Sequence, residues 1–256
     1  MKRCVFNQKG GVGKSTIAVN LAAIAAYQGR KTLLIDMDSQ CNSSRYLLGD
    51  SAKEVTPTIA DFFEEMLGYS FYPKAPNTYT HETQFENLHV IPSHANLGDL
   101  QTKLESRHKI YKLRDALGEL AKDYDEIIID TPPAYGFFSQ VALIASDTCL
   151  IPFDCDDFSR EALYTLMNNI SEIRADHNAN LQIEGIVVNQ FQPRANLPQR
   201  LVDELIAEGL PVLNSKLSSS VIIRESHSQR LPMIHLDKNH KLSSEFLALY
   251  SELQRA

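Results

Sequence analysis

The chain has 256 residues, 43% of them hydrophobic and 22% charged, with a formal net charge of −7. That is ordinary globular usage, which supplies a full core and argues against a protein that coats nucleic acid with its whole surface, so any DNA contact must be local. The four cysteines (Cys4, Cys41, Cys149, Cys155) form no CxxC pair, no signal peptide precedes the first strand pattern, and no apolar run approaches the ~20 residues needed to cross a bilayer. The expectation is a cytoplasmic chain without a transmembrane segment, disulfide framework or structural zinc.

In chain order, β-rich runs at 3–6, 31–36, 88–92, 126–130, 148–152 and 183–189 alternate with helical patterns at 15–28, 110–122, 160–174, 197–208 and 242–253. The alternation predicts an α/β fold, a mainly parallel central sheet with helices on both faces, as one domain over 1–256. Leu33-Leu34-Ile35 and Ile127-Ile128-Ile129 are apolar without alternation, as strands covered on both faces are, and belong in the centre. In the first helix Ile17, Leu21 and Ile24 recur at helical spacing beside Ala18, Ala22 and Ala25, a narrow stripe for close packing. Residues 65–84 show no clear period and read as an irregular insertion. The aromatics Phe62, Phe63, Tyr69, Phe71, Tyr72 and Tyr79 cluster around it, either packing it onto the core or offering a partner surface.

Between the first strand and the first helix lies Asn7-Gln8-Lys9-Gly10-Gly11-Val12-Gly13-Lys14-Ser15-Thr16. This is the context a P-loop requires: glycines let successive N–H groups face phosphate oxygens, and the helix N-terminus adds its positive end. Lys14 is expected to neutralise the β- and γ-phosphates, and the Ser15 hydroxyl to ligate Mg²⁺. The usual first glycine is replaced by Gln8, and a second lysine, Lys9, follows it; in ordinary P-loop geometry that lysine points away from its own γ-phosphate. Two strands end in acids, at Asp36-Met37-Asp38 and at Asp130-Thr131-Pro132-Pro133. Ligands of open α/β sheets lie beyond the carboxyl ends of the strands, so all three segments are expected to converge on one crevice, with Asp130 holding Mg²⁺ through water.

KGGVGKST, LLIDMDSQCN and DEIIIDTPP, with HVIPSHANL at 89–97, IPFDCDDFSREAL at 151–163 and IVVNQF at 186–191, resemble in order and spacing the deviant Walker A P-loop ATPases, and the ParA family above all. The resemblance implies an ATP-dependent sandwich homodimer in which Lys9 reaches the phosphates of the other subunit. It implies that Asp38 is the switch acid that places the attacking water, near the metal with Ser15 and Asp130, that Asp36 supports it, and that Asn189 contacts adenine. Gly10, Gly11, Val12, Gly13 and Thr16 then complete the nucleotide site, with ATP and Mg²⁺ as cofactors. Two departures stand out: Ser39 where the family has Pro, and Cys41 where it has Gly. Cys41 reads as a small loop residue rather than a redox sensor, since nothing in the sequence lowers its pKa.

Iron–sulfur carriers of this superfamily need paired cysteines after the second acid, which are absent here, and MinD-like proteins end in a basic amphipathic helix, whereas 242–253 carries glutamates and no lysine. ParA proteins bind DNA non-specifically through basic residues of the C-terminal third. Between Arg194 and Lys241 this chain has seven Lys or Arg against five acids, which fits either such a patch or an ordinary solvated surface. Arg224, Arg230 and Lys216 are the candidate DNA contacts. No helix-turn-helix precedes the loop, so operator binding is not expected. His89 on a strand, and His227 and His235 in loops, read as structural. The expected function is nucleoid-associated segregation or positioning of a cargo (plasmid, chromosome or protein cluster), with hydrolysis stimulated by a ParB-like or other partner. The alternatives are MinD-like positioning anchored by a protein or membrane partner, and an amidoligase-type metabolic enzyme on the same loop.

Overall fold

The structure is a computed structural model and describes residues 1–68, 71–155, 159–192 and 196–255. Eight strands, β1 (Lys2–Val5), β2 (Thr32–Asp36), β3 (His81–Glu82), β4 (Leu88–Ile91), β5 (Glu126–Asp130), β6 (Thr148–Asp154), β7 (Gln182–Phe191) and β8 (Val212–Ser218), form one sheet in the order β3-β4-β2-β5-β1-β6-β7-β8. Every pair is parallel except β3 with β4. The predicted central strands β2 and β5 are buried throughout and pair in register, which sets Asp36 opposite Asp130 at their carboxyl ends.

The helices are α1 (Lys14–Tyr27), α2 (Asn42–Leu48), α3 (Ile59–Leu67), α4 (Leu97–Ser106), α5 (Lys112–Leu120), α6 (Phe137–Ala145), α7 (Ser159–Asp176), α8 (Asn196–Ala207), α9 (Ile222–Gln229), α10 (Met233–Leu236) and α11 (Lys241–Leu253). One face of the sheet, with Cys4, Leu33, Ile35, Ile127 and Ile129, packs against α3 to α7. The other, with Val5, Leu34, Ile128 and Leu150, packs against α1, α2, α10 and α11. The helices therefore lie on both faces, as predicted.

Two expectations are corrected and one strand is new. Helix α1 buries Ile17 through Ala26 without interruption instead of a narrow stripe, because α2, α10 and α11 cover its outer side. The segment 65–84 is only partly irregular. Glu65–Leu67 finish α3, whose start is fixed by a capping box in which Thr58 and Asp61 satisfy each other's backbone N–H, and the segment then supplies the edge strand β3. Phe62, Phe63 and Tyr79 pack inward, whereas Phe71 and Tyr72 are exposed; Tyr69 lies outside the described residues. The new strand is β8, whose sequence, Val-Leu-Asn-Ser-Lys-Leu-Ser, is half polar and carries no strand signal, as suits a sheet edge. That edge is tied to α11 by carboxylates: Glu252 accepts the N–H groups of Asn214 and Ser215 at 2.8 Å each, and Glu245 accepts that of Ser218 at 2.7 Å. The glutamates of α11 are thus strand clamps. Among the described residues no helix is long and apolar enough to cross a membrane.

Candidate nucleotide site

The loop between β1 and α1 is held from both sides. Asn7 donates through Nδ2 to the Pro152 carbonyl at 2.6 Å and accepts the Lys9 N–H through Oδ1 at 2.9 Å. Gly11 and Gly13 take φ of 79° and 90°, in the left-handed region. A side chain at Gly13 is excluded twice over: its Cβ would stand 2.2 Å from Nδ2 of Asn189, which donates to the Val12 carbonyl at 2.9 Å. Helix α1 starts immediately after, with no side-chain cap and no acid in its first turn, so its free N–H groups and positive end are left for an anion.

Lys14 is buried and donates through Nζ to the Lys9 carbonyl at 2.8 Å. Burial pushes its ammonium down from the usual range, and the charges of Asp130 and Asp38 act against that shift. Asp36 and Asp130 are both fully buried. Asp36 accepts the Asp38 N–H through Oδ1 at 3.1 Å, and through Oδ2 the N–H and Oγ of Ser44 at 2.8 and 2.7 Å. Asp130 accepts the Ser43 hydroxyl through Oδ2 at 2.7 Å, while its buried Oδ1 makes no hydrogen bond. Burial pushes both carboxyls up, and for Asp130 the neighbouring Asp36 charge adds to it. Asp38 is nearly buried and accepts the Gln40 N–H through Oδ1 at 2.9 Å.

A cavity of about 700 Å³ opens over this cluster and is lined by Gly10, Gly11, Gly13, Lys14, Ser15, Thr16 and Asp38. Its far wall is formed by Asn42, Arg45 and Tyr46 of α2 and by His227, Ser228 and Arg230. A second cavity of about 210 Å³ lies across the P-loop, lined by Gly11, Gly13, Asn189, Gln190 and Arg224 among others. A cradle of free N–H groups, a buried lysine, a hydroxyl and an unsatisfied carboxylate oxygen can hold a polyphosphate and a hydrated divalent cation.

The structure thus brings together Gly10 through Thr16, Asp36, Asp38 and Asp130, and joins Asn189 to the loop from β7. It separates the DNA candidates. Arg224 lines the second cavity, and Arg230 lines the first and pairs with Asp50 at 2.5 and 3.0 Å. Lys216 lies on β8 with Nζ 4.6 Å from the Phe191 ring centre. Arg194 falls outside the described residues. His227 and His235 lie in α9 and α10 rather than in loops, and His227 shares a hydrogen bond of 3.0 Å with the Thr16 hydroxyl. Ser43, Ser44, Arg45 and His227 were missed: serines after an acidic strand end read as ordinary helix-start residues, and only the fold sets α9 against α1.

The AAA domain family model matches residues 2–183. The chromosome partitioning protein ParA of Myxococcus xanthus is 36% identical over 98% of this chain and 87% of its own length, and the sporulation initiation inhibitor protein Soj of Bacillus subtilis is 32% identical over 97% and 96%. Apo McdA of Cyanothece shares the fold, with a TM-score of 0.85 at 22% identity over 98% of each chain. With a P-loop at the start of α1 and two strand-end acids beside it, and with this likeness along nearly its whole length, the chain belongs to the ParA/MinD family of P-loop ATPases, on the side of its ParA and Soj partitioning proteins.

Proposed function

We propose that the chain is a switch driven by ATP and Mg²⁺, working as one domain, which dimerises on ATP, binds DNA without sequence preference, and segregates or positions a cargo until a partner protein stimulates hydrolysis. The observation that carries the reading is the uncapped start of α1 beside Lys14, Ser15 and the unsatisfied Oδ1 of Asp130. Gly10 through Thr16 would cradle the phosphates, Lys14 offset the charge of the γ-phosphoryl group, and Ser15, Asp38 and Asp130 hold Mg²⁺ directly or through water. Mg²⁺ supplies neutralisation of the transferring phosphoryl charge. Asp38 orients the attacking water, Lys9 serves the partner subunit, and Asn189, between loop and second cavity, faces the base. Arg224, Lys216 and Arg230 are the DNA contacts to test, and the chain would work in the cytoplasm on the nucleoid.

The test is binding to a random DNA duplex with ATP, ADP or no nucleotide, across a salt series. Tight binding with ATP alone that weakens steeply with salt is expected; equal binding in all three states removes the switch. Lys14→Ala should abolish nucleotide binding by calorimetry. Lys9→Ala should bind nucleotide within a few-fold of the parent yet fail to dimerise by light scattering, and normal ATP-dependent dimers in that variant would end its role across the interface.

A further inference from the structure

The first turn of α2 puts two consecutive serines onto two neighbouring carboxylates. Asp36 and Asp130 face each other at the carboxyl ends of β2 and β5, and Ser44 and Ser43, both fully buried, hydrogen-bond to them respectively. The two bonds differ in what they leave behind. Asp36 is satisfied on both oxygens, by Ser44 and by the Asp38 N–H. Asp130 has one oxygen fixed by Ser43 at 2.7 Å and the other buried without a hydrogen bond. A buried carboxylate oxygen without a partner is costly unless a cation or its water fills the place. The Ser15 hydroxyl and the Lys14 ammonium stand beside this carboxylate and favour its charged form, the form a cation binds.

We infer that Ser43 is a positioning residue for the divalent cation: by fixing Oδ2 of Asp130 it presents Oδ1 to the hydration shell of Mg²⁺ and ties the start of α2 to the metal. This rests on the reading of the site as an ATP–Mg²⁺ site. Partners that orient a metal-binding carboxylate commonly carry 10–100-fold of the metal affinity, although they never touch the ion. Ser43 is continuous in chain with Asp38, so the same bond fixes the far end of the loop that carries the switch acid.

The experiment is the Mg²⁺ concentration that gives half-maximal binding of a fluorescent, non-hydrolysable ATP analogue, with the affinity for the same analogue in EDTA measured alongside. Ser43→Ala is expected to raise the half-saturating Mg²⁺ by about tenfold or more and leave the EDTA affinity within about twofold. Ser43→Cys keeps the volume with a weak donor; it should fold like the parent and also shift. Ser243→Ala removes an equally buried hydroxyl in α11, away from the site, and should leave the Mg²⁺ dependence unchanged. An unchanged or lowered Mg²⁺ requirement in both Ser43 variants, or an equal loss with and without Mg²⁺, overturns the positioning role while leaving the ATP–Mg²⁺ reading intact. Analogue binding by the parent that ignores Mg²⁺ overturns both.

Discussion

Cys41 shows how a single position is set by its surroundings rather than its chemistry. It sits immediately before α2 with φ of 57°, a backbone state that glycine takes more readily, which accounts for the glycine the family uses there. Its thiol is pushed up to about 11 by burial first and then by the Asp36 charge. The thiolate is the reactive form, so at neutral pH Cys41 should be labelled by iodoacetamide about a hundredfold more slowly than an unperturbed thiol, as peptide mapping against time would read. Labelling at the rate of a small free thiol would mean that the loop opens far more than the structure indicates. His227 makes the complementary case: its imidazole is pushed below the usual range by burial alone and meets the Thr16 hydroxyl and the Tyr46 ring. It lies against the P-loop helix, where burial favours its neutral form, a placement that nothing in Glu225-Ser226-His227-Ser228 announces.

At the scale of elements, the wall of the nucleotide cavity is a joint between α2 and α9. The Tyr46 hydroxyl bonds to Ser226, the Tyr46 ring meets His227 edge-on at 4.7 Å, and Arg230 reaches Asp50 just beyond α2. The Arg230 pair is exposed, and pairs of that kind contribute little in water; the joint rests on the buried tyrosine. On the other side of the sheet centre, the Leu213 side chain of β8 lies over residue 185 of β7, in space left open because that residue is glycine. A Cβ there would stand 2.5 Å and 2.6 Å from Cδ2 and Cγ of Leu213. Gly185→Ala should therefore destabilise the fold by about 1–3 kcal/mol, read as a lowered urea midpoint, with loss concentrated in hydrogen-exchange protection of β8. Unchanged stability would show that Leu213 can move aside at no cost.

For the whole molecule, the two ends of the sheet do different work. At the amino ends of the strands Arg3 is fully buried and pairs with Glu126 and, at 2.6 Å through both Nε and Nη2, with Glu184; Tyr250 of α11 donates to Glu126 at 2.8 Å. One guanidinium thus ties β1, β5 and β7, and Glu126 carries the tie on to the last helix. Arg3→Met leaves Glu184 buried without its cation and Glu126 with only the longer Arg30 pair at 3.7 Å, and should cost about 3–5 kcal/mol in urea unfolding. Nucleotide affinity of the folded fraction should stay near the parent's, because the site lies at the opposite ends of the strands. A matched loss of nucleotide affinity in folded protein would show that the two ends are coupled.

The sequence by itself determined the sheet centre and the nucleotide cluster, because both are local. A buried strand is an unbroken apolar run, a P-loop is a fixed spacing of glycine, lysine and hydroxyl, and an acid at a strand's carboxyl end carries its position in its neighbours. It left α2, α3, α4, α6, α9, α10 and the edge strands β3 and β8 unread, since these are short or half polar and owe their form to what covers them. Only the tertiary structure decided that α1 is buried on every side, that Ser43 and Ser44 reach Asp130 and Asp36, and that His227 and Arg230 wall the cavity. Those contacts join residues 87 to 211 positions apart, or 8 in the case of Ser44; the Ser43 bond depends on β2 and β5 standing side by side in register, and those of His227 and Arg230 on α9 lying against α1 and α2. No pattern along the chain encodes that adjacency; the packing of the two layers on the sheet does.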